Sequence, residues 1–363
     1  MGIMGSGFGK SKGKKTNFGN YYRTPEEYEA MVWCLKNKIV VAPLAADKVK
    51  TDPQNFYIDI IIQGRLSRSP TTFGAKELWP QIYKYYKYYY DKHRNQYKAL
   101  IQELLLASKK DDRTGTGTRS VFGRMLIHDM SEGFPLLTNK RVYHKMAVHE
   151  LLWIANGRTD MQYLRDNGVT YWNADYDRSG RSDETLGPVY GKQWRDFNGV
   201  DQLFNVLDDV RNNPTSRRMI VNAWNPADMP DMVLPPCHYG FQLYVNDGQL
   251  DLMWQQRSAD VFLGLPYDIA MYGLLLEMIA KGNNLKPGKL IAQLGDCHLY
   301  NDHLEQARIY LARVQPAHMP ELELAKGMYS TMHNEVIIPE FSDITIKNYN
   351  PKPAIPAPLS VGK

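Results

Sequence analysis

The distribution of apolar and polar residues divides the chain into three regions. Residues 1–20 are rich in Gly, Lys and Ser and are expected to form a disordered basic tail. From residue 21 a small α/β module is expected. TPEEYEAMVWCLKNK pairs a threonine cap with acids in the first turn and predicts a helix, while KIVVAPL and FYIDIIIQGRL predict strands. KELWPQIYKYYKYYYDKHRNQYKALIQELLLASKK is helical in period, with a break predicted at Pro80. The remainder, from about residue 93, is denser in Trp, Gly and Pro motifs. YHKMAVHELLWIANG and LPYDIAMYGLLLEMIAKG predict helices, each closing on glycine. RRMIVNAW, HYGFQLYV and QLDLMWQQRS predict strands, the last two joined as a hairpin by NDG. Strands and helices follow one another without regular βαβ alternation, so the expected class is α+β with one large sheet.

Composition supports a globular chain. Its 363 residues suit one large domain plus a smaller one, or two domains, and 43% hydrophobic with 23% charged residues suits a real core. No apolar stretch reaches the roughly 18 residues of a membrane helix, and the first residues lack the apolar core of a secretory signal. Three cysteines without disulfide spacing predict a reducing, cytoplasmic setting. The net charge of +5 suits an anionic ligand. Much of the excess lies in the lysine-rich first 15 residues, which read as a solvated arm rather than a nucleic-acid reader. The tyrosines near residues 83–90 suit either base stacking or packing against a neighbouring domain, and packing is the preferred reading.

Several residues suit chemistry. Arg113 sits in DDRTGTGT, Arg217 and Arg218 in PTSRRMIV, and Arg257 beside Ser258 in QQRSAD. Guanidinium forks donate in planar pairs that match phosphate, although each arginine alone is ordinarily a surface ion pair. TGTGT is not a Walker loop. In LPPCHYG two prolines stiffen the turn before Cys237, and nearby arginines would favour its thiolate. A buried structural thiol stays open as the other reading. Zinc at Cys237–His238 or Cys297–His298 is disfavoured because neither pair has a CxxC or HxxxH partner. Glu150 lies on an apolar helix face, where a carboxylate without a partner is costly. His298 and Tyr300 alternate at a strand end, and each also suits a satisfied core position. In FLGLPYDIAMY, Asp268 stands in an apolar run, so its carboxylate must reach water, a fixed partner or a ligand.

The motifs DDRTGTGT, GFPLLTNKR, HELLWIANG, LGPVYGKQWR, SRRMIVNAWNP, LPPCHYGFQLYV, QQRSADVFLGLPYDIAMY and GDCHLYNDH, in this order, closely resemble the thymidylate synthase family. The resemblance runs from about residue 93 to the C-terminus and leaves residues 21–92 as an extension of unknown function. It implies a homodimer with a large mixed sheet flanked by helices, acting on a nucleoside monophosphate with 5,10-methylene-tetrahydrofolate. By motif position, Cys237 resembles the nucleophile that adds to C6 of the pyrimidine, and Glu150 the glutamate that organises water for proton transfer. Arg113, Arg257 and Ser258 match phosphate-binding positions, joined by Arg217 and Arg218 of the other subunit. Gln256 falls among the nucleotide-binding positions, and His298 and Tyr300 match the pair that bonds the sugar 3′-hydroxyl. Tyr190 and His238 match the supporting polar network, and Lys140, Trp172, Asp260 and Gly264 the folate side.

One position departs from the pattern. The synthases carry Asn where this chain has Asp268, and a carboxylate there suits the 4-amino group of cytosine rather than O4 of uracil. The resemblance therefore points to the phage deoxycytidylate hydroxymethylase branch, acting in the host cytoplasm. In that branch water, not hydride from the folate, ends the reaction. Two features suggest a looser seal against water: the loop NADYDRSGRSDET after Trp172 is longer than usual and lacks the usual second tryptophan, and PAPLSVGK runs past the usual terminus. A dCMP C5-methyltransferase is the nearest alternative, then a thymidylate synthase on dUMP. A non-catalytic nucleotide or nucleic-acid binding protein is the alternative from another class.

Overall fold

The computed structural model describes residues 21–46, 55–62, 64–112, 114–313 and 319–360, with the side chains of 91–94 left aside. The basic tail, Arg113 and the last three residues lie outside the described residues. The chain forms two compact units, divided between Gln96 and Tyr97.

The first unit comprises α1 (Pro25–Lys36), β1 (Ile39–Ala45), β2 (Asn55–Ile62), β3 (Arg65–Arg68), β4 (Phe73–Gly74) and α2 (Ala75–Arg94). Thr24 and Glu27 close a reciprocal capping box that starts α1. FYIDIIIQGRL is not one strand but two, because the chain turns at Gly64, whose φ of +83° favours glycine. The strands are antiparallel in the order β1-β2-β3, with β4 also paired to β2. Tyr83 and Tyr86 of α2 are buried in this unit's own core, and the Tyr86 hydroxyl bonds both the N–H and the carbonyl of Val41. Aromatic packing within the unit, rather than on a neighbouring domain, accounts for these two tyrosines. The predicted break at Pro80 does not occur, and α2 continues to Arg94. Pro80 deprives only the Lys76 carbonyl of its donor, and the buried Leu78, Ile82, Tyr83 and Tyr86 offset that loss.

The second unit begins with α3 (Gln96–Leu106), β5 (Lys109–Lys110), β6 (Thr118–Asp129), α4 (His144–Ala155), α5 (Met161–Asp166), α6 (Asn173–Ser179), α7 (Tyr190–Arg195) and α8 (Gln202–Asn212). There follow β7 (Ile220–Asn222), β8 (His238–Asn246), β9 (Gln249–Asp260), α9 (Leu265–Gly282), β10 (Lys286–Tyr300) and α10 (Leu304–Ala312). Short strands β11 (Glu321–Leu324), β12 (Tyr329–Ser330), β13 (Val336–Ile337) and β14 (Ile344–Lys347) complete it. Six strands form one sheet in the order β5-β6-β10-β9-β8-β7, with β9 and β10 parallel and the other neighbours antiparallel. This is the expected α+β architecture on a large mixed sheet.

Strand alternation gives that sheet two different faces. The row Leu126, Ala292, Trp254, Phe241 and Val221 runs along the face that meets α9. The neighbouring row Ile127, Ile291, Met253, Gln242 and Ile220 points to the opposite face. Asp247 and Gly248, both at positive φ, form the predicted two-residue hairpin turn. Strand β7 is shorter than RRMIVNAW suggested, because the Asn222 side chain bonds the Trp224 backbone and turns the chain. Gly282 does not stop α9 but ends inside it, where an added Cβ would lie 2.2 Å from the Met328 carbonyl oxygen. The stretch after Trp172 is likewise not all loop, since Asn173–Ser179 is helical and capped by Gly180.

Candidate active site

Cys237 stands between the two prolines and the first residue of β8. Among the three thiols, burial pushes Cys34 and Cys297 up to about 12, whereas Cys237 is half-buried just before β8. Its backbone N–H donates to the Tyr190 hydroxyl at 2.9 Å, and its carbonyl accepts from the Arg257 N–H. Arg257 reaches back along the same turn, donating to the carbonyls of Pro235 and Pro236 at 2.8 Å each. This clamps the guanidinium 4.0 Å from the Cys237 sulfur and 5.6 Å from the Trp224 ring centre. A fixed cation at that distance favours a thiolate.

His238 follows at a register shift between β8 and β9, where Gly240 lets the strand pass the Val221 carbonyl closely. Its ring stacks on Tyr190 at 4.3 Å, and Nδ1 bonds the Tyr272 hydroxyl at 2.8 Å. Burial lowers its pKa to about 3, so the ring is neutral in ordinary buffers.

Two carboxylates converge here. Glu150, buried on α4, accepts from the Tyr171 hydroxyl and, at 2.7 Å, from the Trp172 indole N–H. Burial raises its pKa against the effect of those bonds. Asp268 lies in the first turn of α9, its Oδ2 accepting from Gln256 Nε2 at 2.8 Å. Burial pushes it up to about 7, with Glu150 and Asp260 adding to the rise. The puzzle of an acid in an apolar run thus has a structural answer: Gln256 is the fixed partner of one oxygen.

Asp260 caps the turn before α9 by accepting from the N–H groups of Phe262 and Leu263. Lys140 is buried, bonds the Phe262 carbonyl and lies 3.9 Å from that ring's centre. Burial lowers its pKa to about 8, while Asp260 opposes the shift. Gly264 precedes α9 as its N-cap, with room for an ordinary Cβ contact. At the end of β10, His298 and Tyr300 meet edge to face at 5.2 Å, and His298 Nδ1 lies 3.4 Å from an Asp296 carboxylate oxygen. The Ser258 carbonyl accepts from Gln256 at 3.1 Å.

Most of the predicted residues therefore gather around Cys237, Asp268 and Glu150. Arg217 and Arg218 do not: both are exposed, and no hydrogen bond or ion pair among the described residues joins them to this cluster. No group of three or more His, Cys, Asp or Glu among the described residues suits a metal. Three further participants are Trp254, Tyr171 and Tyr272. Their signals were spacings: Trp254 lies two residues before Gln256 on a strand, and Tyr272 four after Asp268 on a helix.

The family model for thymidylate synthase matches residues 95–361, nearly the whole second unit. The chain belongs to the thymidylate synthase family, and is accordingly a one-carbon transferase acting on a pyrimidine nucleotide with methylene-tetrahydrofolate. No helix among the described residues is long and apolar enough to cross a membrane.

Proposed function

We propose that the chain is a deoxycytidylate hydroxymethylase, converting dCMP to 5-hydroxymethyl-dCMP. The observation that carries this reading is the Gln256–Asp268 bond. Gln256 commits Oδ2 of Asp268 as an acceptor, so a proton on this carboxyl group belongs on Oδ1. With its pKa held up to about 7, Asp268 is available as the neutral acid. It then offers N3 of cytosine a donor and the 4-amino group an acceptor. Uracil presents the reverse pair, N3–H and O4, and leaves buried groups unmatched at a cost of about 1–3 kcal/mol.

Cys237 adds its sulfur to C6, forming an S–C6 bond and making C5 a carbon nucleophile; Arg257 holds the thiolate before that step. Glu150, in its dry setting of Tyr171 and Trp172, organises the proton transfers. Neutral His238 and Tyr190 hold the Cys237 turn in place. Arg113, Arg257 and Ser258 bind the phosphate, with Arg217 and Arg218 reaching in from a second protomer. His298 and Tyr300 take the sugar hydroxyl. A homodimer is supported by the uncovered sheet face, where Met125 is 51%, Ile127 44% and Ile220 50% exposed.

Lys140, Trp172, Asp260 and Gly264 would hold the folate. The donor set suits it: an ammonium for carboxylates, an indole ring, and one Asp260 oxygen beyond the one spent on Phe262 and Leu263. When bound, methylene-tetrahydrofolate supplies a one-carbon unit at the oxidation level of formaldehyde. The hydroxyl of the product comes from water. Supporting this outcome, the charged helix α6, with an Asp175–Arg178 pair, follows Trp172 in place of a second tryptophan.

Substituting Asp268→Asn tests the base reading. Preference in kcat/KM should move from dCMP to dUMP, and an unchanged preference would contradict it.

A further inference from the structure

The cytosine reading rests on which Asp268 oxygen is committed, and that depends on a tryptophan buried in the core. Trp254 and Gln256 alternate on β9, and Asp268 and Tyr272 lie one turn apart on α9. Two pairs therefore meet between strand and helix. Trp254 stacks on Tyr272 with ring centres 5.1 Å apart and 8° between planes, and Gln256 bonds Asp268.

The indole N–H only donates, and it donates to Gln256 Oε1 at 3.1 Å. With its carbonyl taken, Gln256 turns its NH₂ to the Ser258 carbonyl at 3.1 Å and to Asp268 Oδ2 at 2.8 Å. A backbone carbonyl only accepts, so the two outer partners agree on the same amide orientation. A flipped Gln256 would set NH₂ against the indole N–H and oxygen against both oxygens. Buried mismatches of that kind are costly. Trp254 is 1% exposed and Gln256 3%, so water does not replace these bonds freely.

We propose that Trp254 is a positioning residue for base selection, acting through Gln256 to fix which hydrogen-bonding edge Asp268 presents to the pyrimidine. Without the indole N–H only the Ser258 carbonyl opposes the flip, and a flipped Gln256 accepts a proton placed on Oδ2 of Asp268. Oδ1 is then a bare acceptor, which meets N3–H of uracil and no longer offers a donor to N3 of cytosine. The inference depends on the cytosine reading, but it assigns selection to a buried side chain whose contacts are Gln256 and Tyr272.

Trp254→Phe keeps an aromatic ring over Tyr272 and removes the N–H. The ratio of kcat/KM for dCMP over dUMP should fall about tenfold, with the loss in the dCMP KM rather than in kcat. Gln256→Glu is the second variant, nearly unchanged in volume. It sets an acceptor against Oδ2 of Asp268, draws the proton there, and should lower the dCMP-over-dUMP ratio in the same direction as Trp254→Phe. If Trp254→Phe leaves the ratio unchanged while Asp268→Asn shifts it, Trp254 has no role in selection and the cytosine reading stands. An unchanged ratio in Gln256→Glu would equally overturn the relay. A wild-type enzyme without preference for dCMP overturns both readings.

Discussion

Glu150 and Trp172 are joined by a 2.7 Å bond from the indole N–H to the carboxylate Oε1, inside a pocket that also ties Oε2 to Tyr171. The carboxylate expected to move protons is thus held by the indole expected to face the folate. Burial raises the Glu150 pKa, so the group gains a proton more readily than a surface carboxylate.

Glu150→Gln keeps the shape and can still accept from Trp172, so folding should be preserved. Loss of proton transfer should lower kcat by about 10²–10⁴-fold, with nucleotide affinity nearly unchanged. Steady-state kinetics alongside equilibrium dCMP binding make the check. An equal loss in both would instead indicate a structural role.

The Asp268 pKa, raised from an ordinary 3.8 to about 7, sets a sign for pH dependence. The folded state holds the proton more tightly, so this group's stability contribution is full below about pH 4 and is lost as pH rises through about 7. Glu277, also pushed up to about 7 by burial, acts in the same direction. Between pH 5 and 8, the Tm of the wild type should therefore fall relative to that of Asp268→Asn. The dCMP KM of the wild type should rise above about pH 7, and that of the variant should stay flatter.

Exposed Arg217 and Arg218 predict active sites shared between protomers. Cys237→Ala and a double Arg217→Glu, Arg218→Glu variant should each be inactive alone. Refolded together, they should regain activity, because one site of a mixed dimer has both an intact thiol and intact arginines. Mixed dimers verified by mass and still inactive would place all site residues in one chain.

Gly282 offers a test of packing away from the chemistry. A methyl group there meets the Met328 backbone, so Gly282→Ala should destabilise the second unit by about 1–3 kcal/mol in chemical denaturation. A shift within a few tenths would mean that the Met328 segment yields freely.

The sequence made some of this legible and hid the rest for identifiable reasons. The Asp247–Gly248 hairpin and the Thr24 cap are local signals, and they appear where residue chemistry demands them. FYIDIIIQGRL misled because one glycine outweighs a run of β-branched residues. Pro80 misled because burial of its neighbours outweighs one missing hydrogen bond. Asp268 was conspicuous as an acid in an apolar run, but its commitment to Gln256 requires α9 to dock on β9. Trp254 was invisible for the same reason: a buried tryptophan on a strand looks like core until its N–H is followed to its acceptor.

Hydroxymethylation of dCMP is tested by supplying the wild-type enzyme with equal dCMP and dUMP and with methylene-tetrahydrofolate. Mass spectrometry then identifies which nucleotide changes and what it gains, and dihydrofolate absorbance is followed in parallel. A gain of CH₂O on dCMP with no dihydrofolate formed is the expected result. A gain of CH₂ on dUMP, with dihydrofolate appearing in step, would contradict it.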